Sequence, residues 1–143
     1  MRLHASCVLV DGGAVLLRGP SGSGKSDLAL RLIDQGGVLV ADDQVLLQRD
    51  GDALLARAPD ILAGLLEIRG LGILKMTYRA VAPVGAVIDL VGSDEVERMP
   101  EPETVSLLEK ALPLYRVFAR EASAPLKVRL AMQHAAGLIM SAR

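Results

Sequence analysis

The sequence predicts an α/β fold in which mixed β-sheets surround a helix that begins at a phosphate-binding loop. Three observations carry this. First, Gly19-Pro20-Ser21-Gly22-Ser23-Gly24-Lys25-Ser26 fits the phosphate-loop pattern G-x-x-x-x-G-K-S/T. Second, the flanks are right: Ala14 to Arg18 is a short apolar run, and Asp27 to Ile33 places apolar residues at helical spacing. Third, Val38 to Ala41 and Ala86 to Val91 read as strands buried in a sheet.

A strand, a glycine loop and a helix start are what phosphate binding needs. Glycines let consecutive backbone N–H groups turn inward around phosphate oxygens. The unpaired N–H groups and the dipole of the helix face the same anion. In this pattern Lys25 reaches the outer phosphates and the Ser26 hydroxyl ligates Mg²⁺. Gly19 through Ser26 are therefore the candidate nucleotide-binding residues, with a nucleotide and Mg²⁺ as the expected ligands. The motif leaves the fate of the γ-phosphate open.

The composition bounds the rest. At 143 residues the chain suits a single domain, 1–143, and 51% apolar residues supply a core. That core is aliphatic, because Trp is absent and Phe118, Tyr78 and Tyr115 are the only other aromatic-ring carbon side chains. A net charge of −1 argues against a nucleic-acid binder, which needs a basic face and aromatic stacking platforms. Cys7 is the only cysteine, so neither a disulfide nor a cysteine zinc site forms within one chain, which fits a reducing cytoplasm. No run reaches transmembrane length, and Asp11 interrupts the apolar N-terminal stretch, which makes a poor signal peptide.

In chain order, Leu3 to Val10 reads as a strand, Asp11-Gly12-Gly13 as a turn and Ala14 to Arg18 as the returning strand of a hairpin. If Val10 lies opposite Gly13 or Ala14, His4 lies opposite Gly19 or Pro20, at the mouth of the phosphate loop. The loop helix ends near Gln35-Gly36-Gly37. Val38 to Ala41 then runs into Asp42-Asp43, and because strand side chains alternate faces the two carboxylates do different jobs. Acid at a strand end beside a phosphate loop is the usual arrangement for a Mg²⁺ or catalytic carboxylate. Val45 to Arg57 is a hairpin around an Asp50-Gly51 turn.

Strand alternation puts Glu67 and Arg69 on one face, where the plain reading is a surface ion pair. Gly92 to Pro102 is charged and irregular and contains Arg98. Glu103 to Leu112 reads as a short helix and Leu114 to Phe118 as a last strand. Pro125 opens the final helix, with Val128, Ala131, Met132, Ala135, Leu138 and Ile139 as its apolar stripe. His134 lies off that stripe and reads as solvated. Lys127 and Arg129 stand near the helix start against the dipole preference, which points to an anionic neighbour.

Taken together, His4, Gly19 to Ser26, Asp42-Asp43 and Glu67-Ile68-Arg69-Gly70-Leu71-Gly72-Ile73 resemble the catalytic domain of HPr kinase/phosphorylase, the serine kinase of the phosphocarrier protein HPr. The likeness is strongest from His4 to Ile73 and fainter beyond. The resemblance implies a phosphoenolpyruvate carboxykinase-like P-loop kinase fold, hexamers, and a role in the phosphotransferase system. It implies that Lys25 and the loop hold ATP phosphates and that Ser26 and Glu67 hold Mg²⁺, to which the acidic strand end adds Asp42 as a third candidate metal ligand. Asp43 is then the proton acceptor for the target serine, and the proton donor when phosphate attacks phosphoserine and pyrophosphate leaves. His4 matches the family's active-site histidine, and Arg98 a later active-site arginine.

Two departures stand out. The chain resembles a short form without the extra N-terminal domain that family members often carry. The glycine-arginine-asparagine segment tied to dephosphorylation is absent from the matching region, Glu121 to Arg129. The expected partner is HPr or a paralogue, with no nucleic acid and no membrane. Competing readings are a small-molecule P-loop kinase or nucleotide hydrolase, and an ATP-sensing module that has lost transfer. The latter requires loss of Asp43 or Glu67, and both are present.

Overall fold

The computed structural model describes residues 1–142. Its strands are β1 (Arg2–His4), β2 (Ser6–Val10), β3 (Gly13–Arg18), β4 (Val38–Ala41), β5 (Gln44–Asp50), β6 (Ala53–Arg57), β7 (Leu65–Ile68), β8 (Gly72–Lys75), β9 (Ala82–Leu90), β10 (Glu103–Leu107) and β11 (Lys110–Val117). Two α-helices, α1 (Lys25–Asp34) and α2 (Ala124–Ala135), complete the fold. Nine strands form one curled mixed sheet in the order β1-β5-β6-β9-β3-β2-β4, with β11 beside β9 and β10 beside β11. Strands β7 and β8 form a separate hairpin.

Strand β9 is the seam of the large sheet. Its first residues pair antiparallel with β6 (Ala56↔Ala82), and its last pair parallel with β11 (Val117↔Leu90). Strand β3 runs parallel along it from Ala14↔Val84 to Arg18↔Asp89. The two faces of β3 feed two cores, as a period-2 strand dictates. Ala14 and Leu16 join Cys7, Val40, Leu47, Leu54 and Val87 inside the curl. Val15 and Leu17 join Val8, Leu28, Leu32, Ile88, Val128 and Met132 beneath the helices. Burial on both faces is why the run reads as continuously apolar. Gly13 and Gly85 leave the space that Met132 Cε fills, since a Cβ at either would sit 3.0 Å from it. Cys7 is fully buried and burial pushes its thiol up, so it behaves as a small hydrophobe.

The predicted hairpin of the first two strands forms with Val10 opposite Gly13. The single strand expected over Leu3 to Val10 does not. The chain breaks at Ala5, whose N–H donates to the Asp43 carbonyl (3.1 Å), and β1 leaves β2's partner to pair with β5, His4 opposite Gln44. The hairpin of β5 and β6 closes Asp50 on Ala53, so its loop residues are Gly51-Asp52, one position later than expected.

The helix expected over Glu103 to Leu112 is instead the hairpin of β10 and β11. Val105, Leu107 and Leu112 pack on the inner core at alternating positions, and that period prevails over helix propensity. The turn is made by Leu108 and Glu109, both at positive φ (48° and 64°) without a glycine.

Helix α2 starts at Ala124 with Pro125 in its first turn, as predicted. It ends earlier than the apolar stripe. Gly137 at φ 76° donates to the His134 carbonyl and Leu138 to that of Gln133, the two bonds of a Schellman motif. Leu138 and Ile139 are therefore exposed rather than part of a helical face. His134 is not simply solvated: Tyr115 Oη lies 2.8 Å from its Nδ1, and burial pushes the tyrosine hydroxyl up, which keeps it a donor. Lys127 and Arg129 find their anions within the chain, in Glu121 (2.5 Å) and Asp11 (3.9 Å).

Candidate active site

A cleft of about 750 Å³ opens over the phosphate loop. The loop spans the six residues between the end of β3 and the start of α1, and it bends inward where Gly22 and Gly24 take φ of 85° and 98°. That conformation is open to glycine and costly for other residues. Gly24 is constrained further, because a Cβ there would lie 3.1 Å from that of Ala119. The first helical bond is Leu28 N–H to the Gly24 carbonyl (2.9 Å). The N–H groups of Lys25, Ser26 and Asp27 precede it and have no acceptor inside the helix.

Lys25 is buried and curls back over its own loop. Its Nζ donates to the carbonyls of Gly19 (2.6 Å) and Pro20 (3.1 Å). Desolvation lowers its pKa, while the charges of Asp43 and Asp42 pull it back up. The ammonium is thus held over the loop by weak neutral acceptors, which a phosphate oxygen outcompetes.

The adjacent carboxylates Asp42 and Asp43 go opposite ways. Asp42 is 8% exposed and does not line the cleft. Its Oδ1 accepts from the hydroxyls of Ser6 and Ser26, both at 2.8 Å, and its Oδ2 from the Glu67 N–H at 3.3 Å. Asp43 is at positive φ (68°), spanned by a bond from the Gln44 N–H to the Asp42 carbonyl (2.8 Å). This tight three-residue turn throws its side chain outward, 63% exposed, into the cleft. His4 Nε2 lies 2.8 Å from Asp43 Oδ1. Since a carboxylate only accepts, that nitrogen carries the hydrogen. His4 reaches the cleft as expected, by pairing β1 with β5 rather than by extending β2 towards Gly19.

Glu67 extends from β7, and Arg69 and Gly70 from the turn into β8, to line the opposite wall. No ion pair joins Glu67 to Arg69, so the plain surface-pair reading gives way to two separate cleft side chains. Arg98 follows an exposed turn, with Nη2 3.9 Å from Met99 Sδ, and does not line the cleft of its own chain. The arginines that do, besides Arg69, are Arg31 and Arg120. Sequence reasoning passed over both, because the segments that bring them together are distant in the chain.

The donor set fits Mg²⁺. Ser26 gives its hydroxyl hydrogen to Asp42, which leaves its lone pairs free, and Glu67 adds a carboxylate. Mg²⁺ takes hard oxygen ligands and uses one or two from protein, completing its shell with water and phosphate. Among the described residues no three His, Cys, Asp or Glu side chains cluster as a metal cage. Asp42, expected among the ligands, accepts from three protein donors, one of them the Ser26 hydroxyl, and does not line the cleft.

The family model described as HPr Serine kinase C-terminal domain matches residues 1–84. The chain is 41% identical over 123 residues to an HPr kinase/phosphorylase of Geobacillus kaustophilus, a match covering 78% of this chain and 40% of that protein. It is 39% identical over 123 residues to the HPr kinase/phosphorylase of Chlorobium limicola, covering 80% and 36%. The chain thus spans well under half the length of these curated relatives. Among solved structures, the Hpr(Ser) kinase/phosphatase from Coxiella burnetii superposes with a TM-score of 0.85 at 26% identity, covering 96% of this chain and 98% of that one.

Proposed function

The chain belongs to the HPr serine kinase C-terminal domain family, and on that premise we propose that it transfers the γ-phosphoryl group of ATP to a serine of HPr or an HPr-like phosphocarrier. The observation that carries the reading is the pair of His4 and Asp43, held in one cleft with Lys25, Ser26 and Glu67. Phosphoryl transfer asks for charge neutralisation and alignment more than for covalent chemistry. The loop N–H groups and Lys25 bind the phosphates. Ser26 and Glu67 would hold Mg²⁺, which when bound would neutralise phosphate charge.

Asp43 receives the serine. Its Oδ1 is taken by His4, so Oδ2 accepts the seryl hydroxyl hydrogen and holds the oxygen in line with phosphorus. A carboxylate is too weak a base to deprotonate a free serine hydroxyl in advance. The proton therefore moves to Asp43 as the O–P bond forms and ADP leaves. The reverse reaction would return that proton to serine as phosphate takes the phosphoryl group and pyrophosphate forms. A sensor without transfer has no use for Asp43 in the cleft. We further propose hexameric assembly and cytoplasmic action in the phosphotransferase system. Among the described residues no helix is long and apolar enough to cross a membrane.

Incubation with γ-labelled ATP, Mg²⁺ and purified HPr-type carriers, followed by mass mapping, tests the reading. Phosphoserine on a carrier is the expected product. Nucleotide binding with no transfer to any carrier would overturn it.

A further inference from the structure

Arg120 meets the phosphate loop from a segment that no sequence motif marks. It follows β11, and its position is fixed from three directions. Ala119 is buried against Gly24. The Arg31 guanidinium, paired with Asp27, donates to the Ala119 carbonyl and to that of Glu121 (3.3 Å). The Glu121 N–H closes on the Phe118 carbonyl (3.3 Å). Held this way, Arg120 reaches over the loop and its Nη2 donates to the Gly22 carbonyl at 2.9 Å.

Among the described residues its charge has no carboxylate partner. Arg18, Arg31, Arg57, Arg116 and Arg129 each sit within ion-pair distance of a carboxylate. Arg120 lines the cleft, and no carboxylate of the described residues lies within ion-pair distance of it. A guanidinium has five N–H donors, and the loop carbonyl uses one. The remaining donors form a planar fork suited to phosphate oxygens. Arg98, the arginine expected for this task, is outside the cleft of its own chain.

We propose that Arg120 is a catalytic residue, the arginine supplied by the same chain that contacts the nucleotide's phosphate oxygens and stabilises the charge developing on them during transfer. It adds a fixed cation to Lys25, on a linker locked to α1 by Arg31. The inference rests on the nucleotide-binding reading of the loop but not on the identity of the carrier.

The test compares wild type with Arg120→Gln and Arg120→Lys in Mg·ATP binding at several salt concentrations and in single-turnover transfer to a carrier, with melting temperature as the fold control. Gln keeps a donor for Gly22 without the charge, while Lys keeps both. The expected result for Arg120→Gln is a loss of transfer on the order of 10²-fold, with a flatter salt dependence of ATP binding and an unchanged melting temperature. Arg120→Lys should recover part of the loss. Overturning results are transfer and salt dependence equal to wild type in Arg120→Gln, or equal losses in both variants matched by a lowered melting temperature. Should wild type bind Mg·ATP but phosphorylate no carrier, the function reading falls. Arg120 is then judged on the salt dependence of binding alone, where an unchanged slope refutes it.

Discussion

Two sides of one cleft are built on opposite principles. On the buried side, Asp42 accepts from Ser6, Ser26 and the Glu67 N–H, and Lys25 lies over its own loop carbonyls. On the open side, Asp43, Glu67 and Arg120 point into the cleft and spend few or none of their hydrogen-bonding groups on the protein. Adjacent positions, 42 and 43, thus carry the same side chain for different ends. The first fixes the Ser26 hydroxyl and, through the Glu67 N–H, the hairpin of β7 and β8. The second stays available to a substrate. What separates them is the positive-φ turn at Asp43, which reverses the side-chain direction within one residue.

Substitutions on the two sides should therefore fail differently. The largest effect on rate is expected for Asp43→Asn, a loss of transfer on the order of 10³-fold, with Mg·ATP affinity and melting temperature near wild type in calorimetry and thermal denaturation. Asp42→Asn should act mainly on the fold. It leaves the Glu67 N–H or a serine hydroxyl badly matched in a buried place, a cost of about 1–3 kcal/mol, read as a lower denaturant midpoint. His4→Gln should be smaller, about tenfold in transfer, equivalent to about 1.4 kcal/mol of orientation lost at Asp43. The smallest effect concerns protons. Desolvation holds Lys25 below the ordinary lysine range, and a bound phosphate opposes that. Binding of Mg·ATP at alkaline pH should therefore take up a fraction of a proton, measurable by calorimetry in buffers of different ionisation enthalpy. Release instead of uptake would contradict the sign.

The contrast also explains what the sequence could and could not disclose. The phosphate loop, its flanking strand and helix, and the acidic strand end were legible because each is local: period, glycines and charge all lie between Ala14 and Asp43. His4 was placed in the right neighbourhood through an extrapolated register that the break at Ala5 does not honour; pairing of β1 with β5 does the work instead. The turn at Leu108-Glu109 has positive φ without glycine or asparagine, so nothing announced the hairpin of β10 and β11. Arg120 was illegible for a plainer reason. It meets Gly22 across 98 positions of sequence, through a strand pairing that no local pattern encodes.

The division of labour between the two carboxylates is best tested by preparing Asp42→Asn and Asp43→Asn together and measuring single-turnover transfer from Mg·ATP to an HPr-type carrier beside thermal stability. The expected result is a folded, nucleotide-binding but transfer-dead Asp43→Asn, and a destabilised Asp42→Asn that retains measurable transfer. Near wild-type transfer by Asp43→Asn, or a stable but transfer-dead Asp42→Asn, would contradict it.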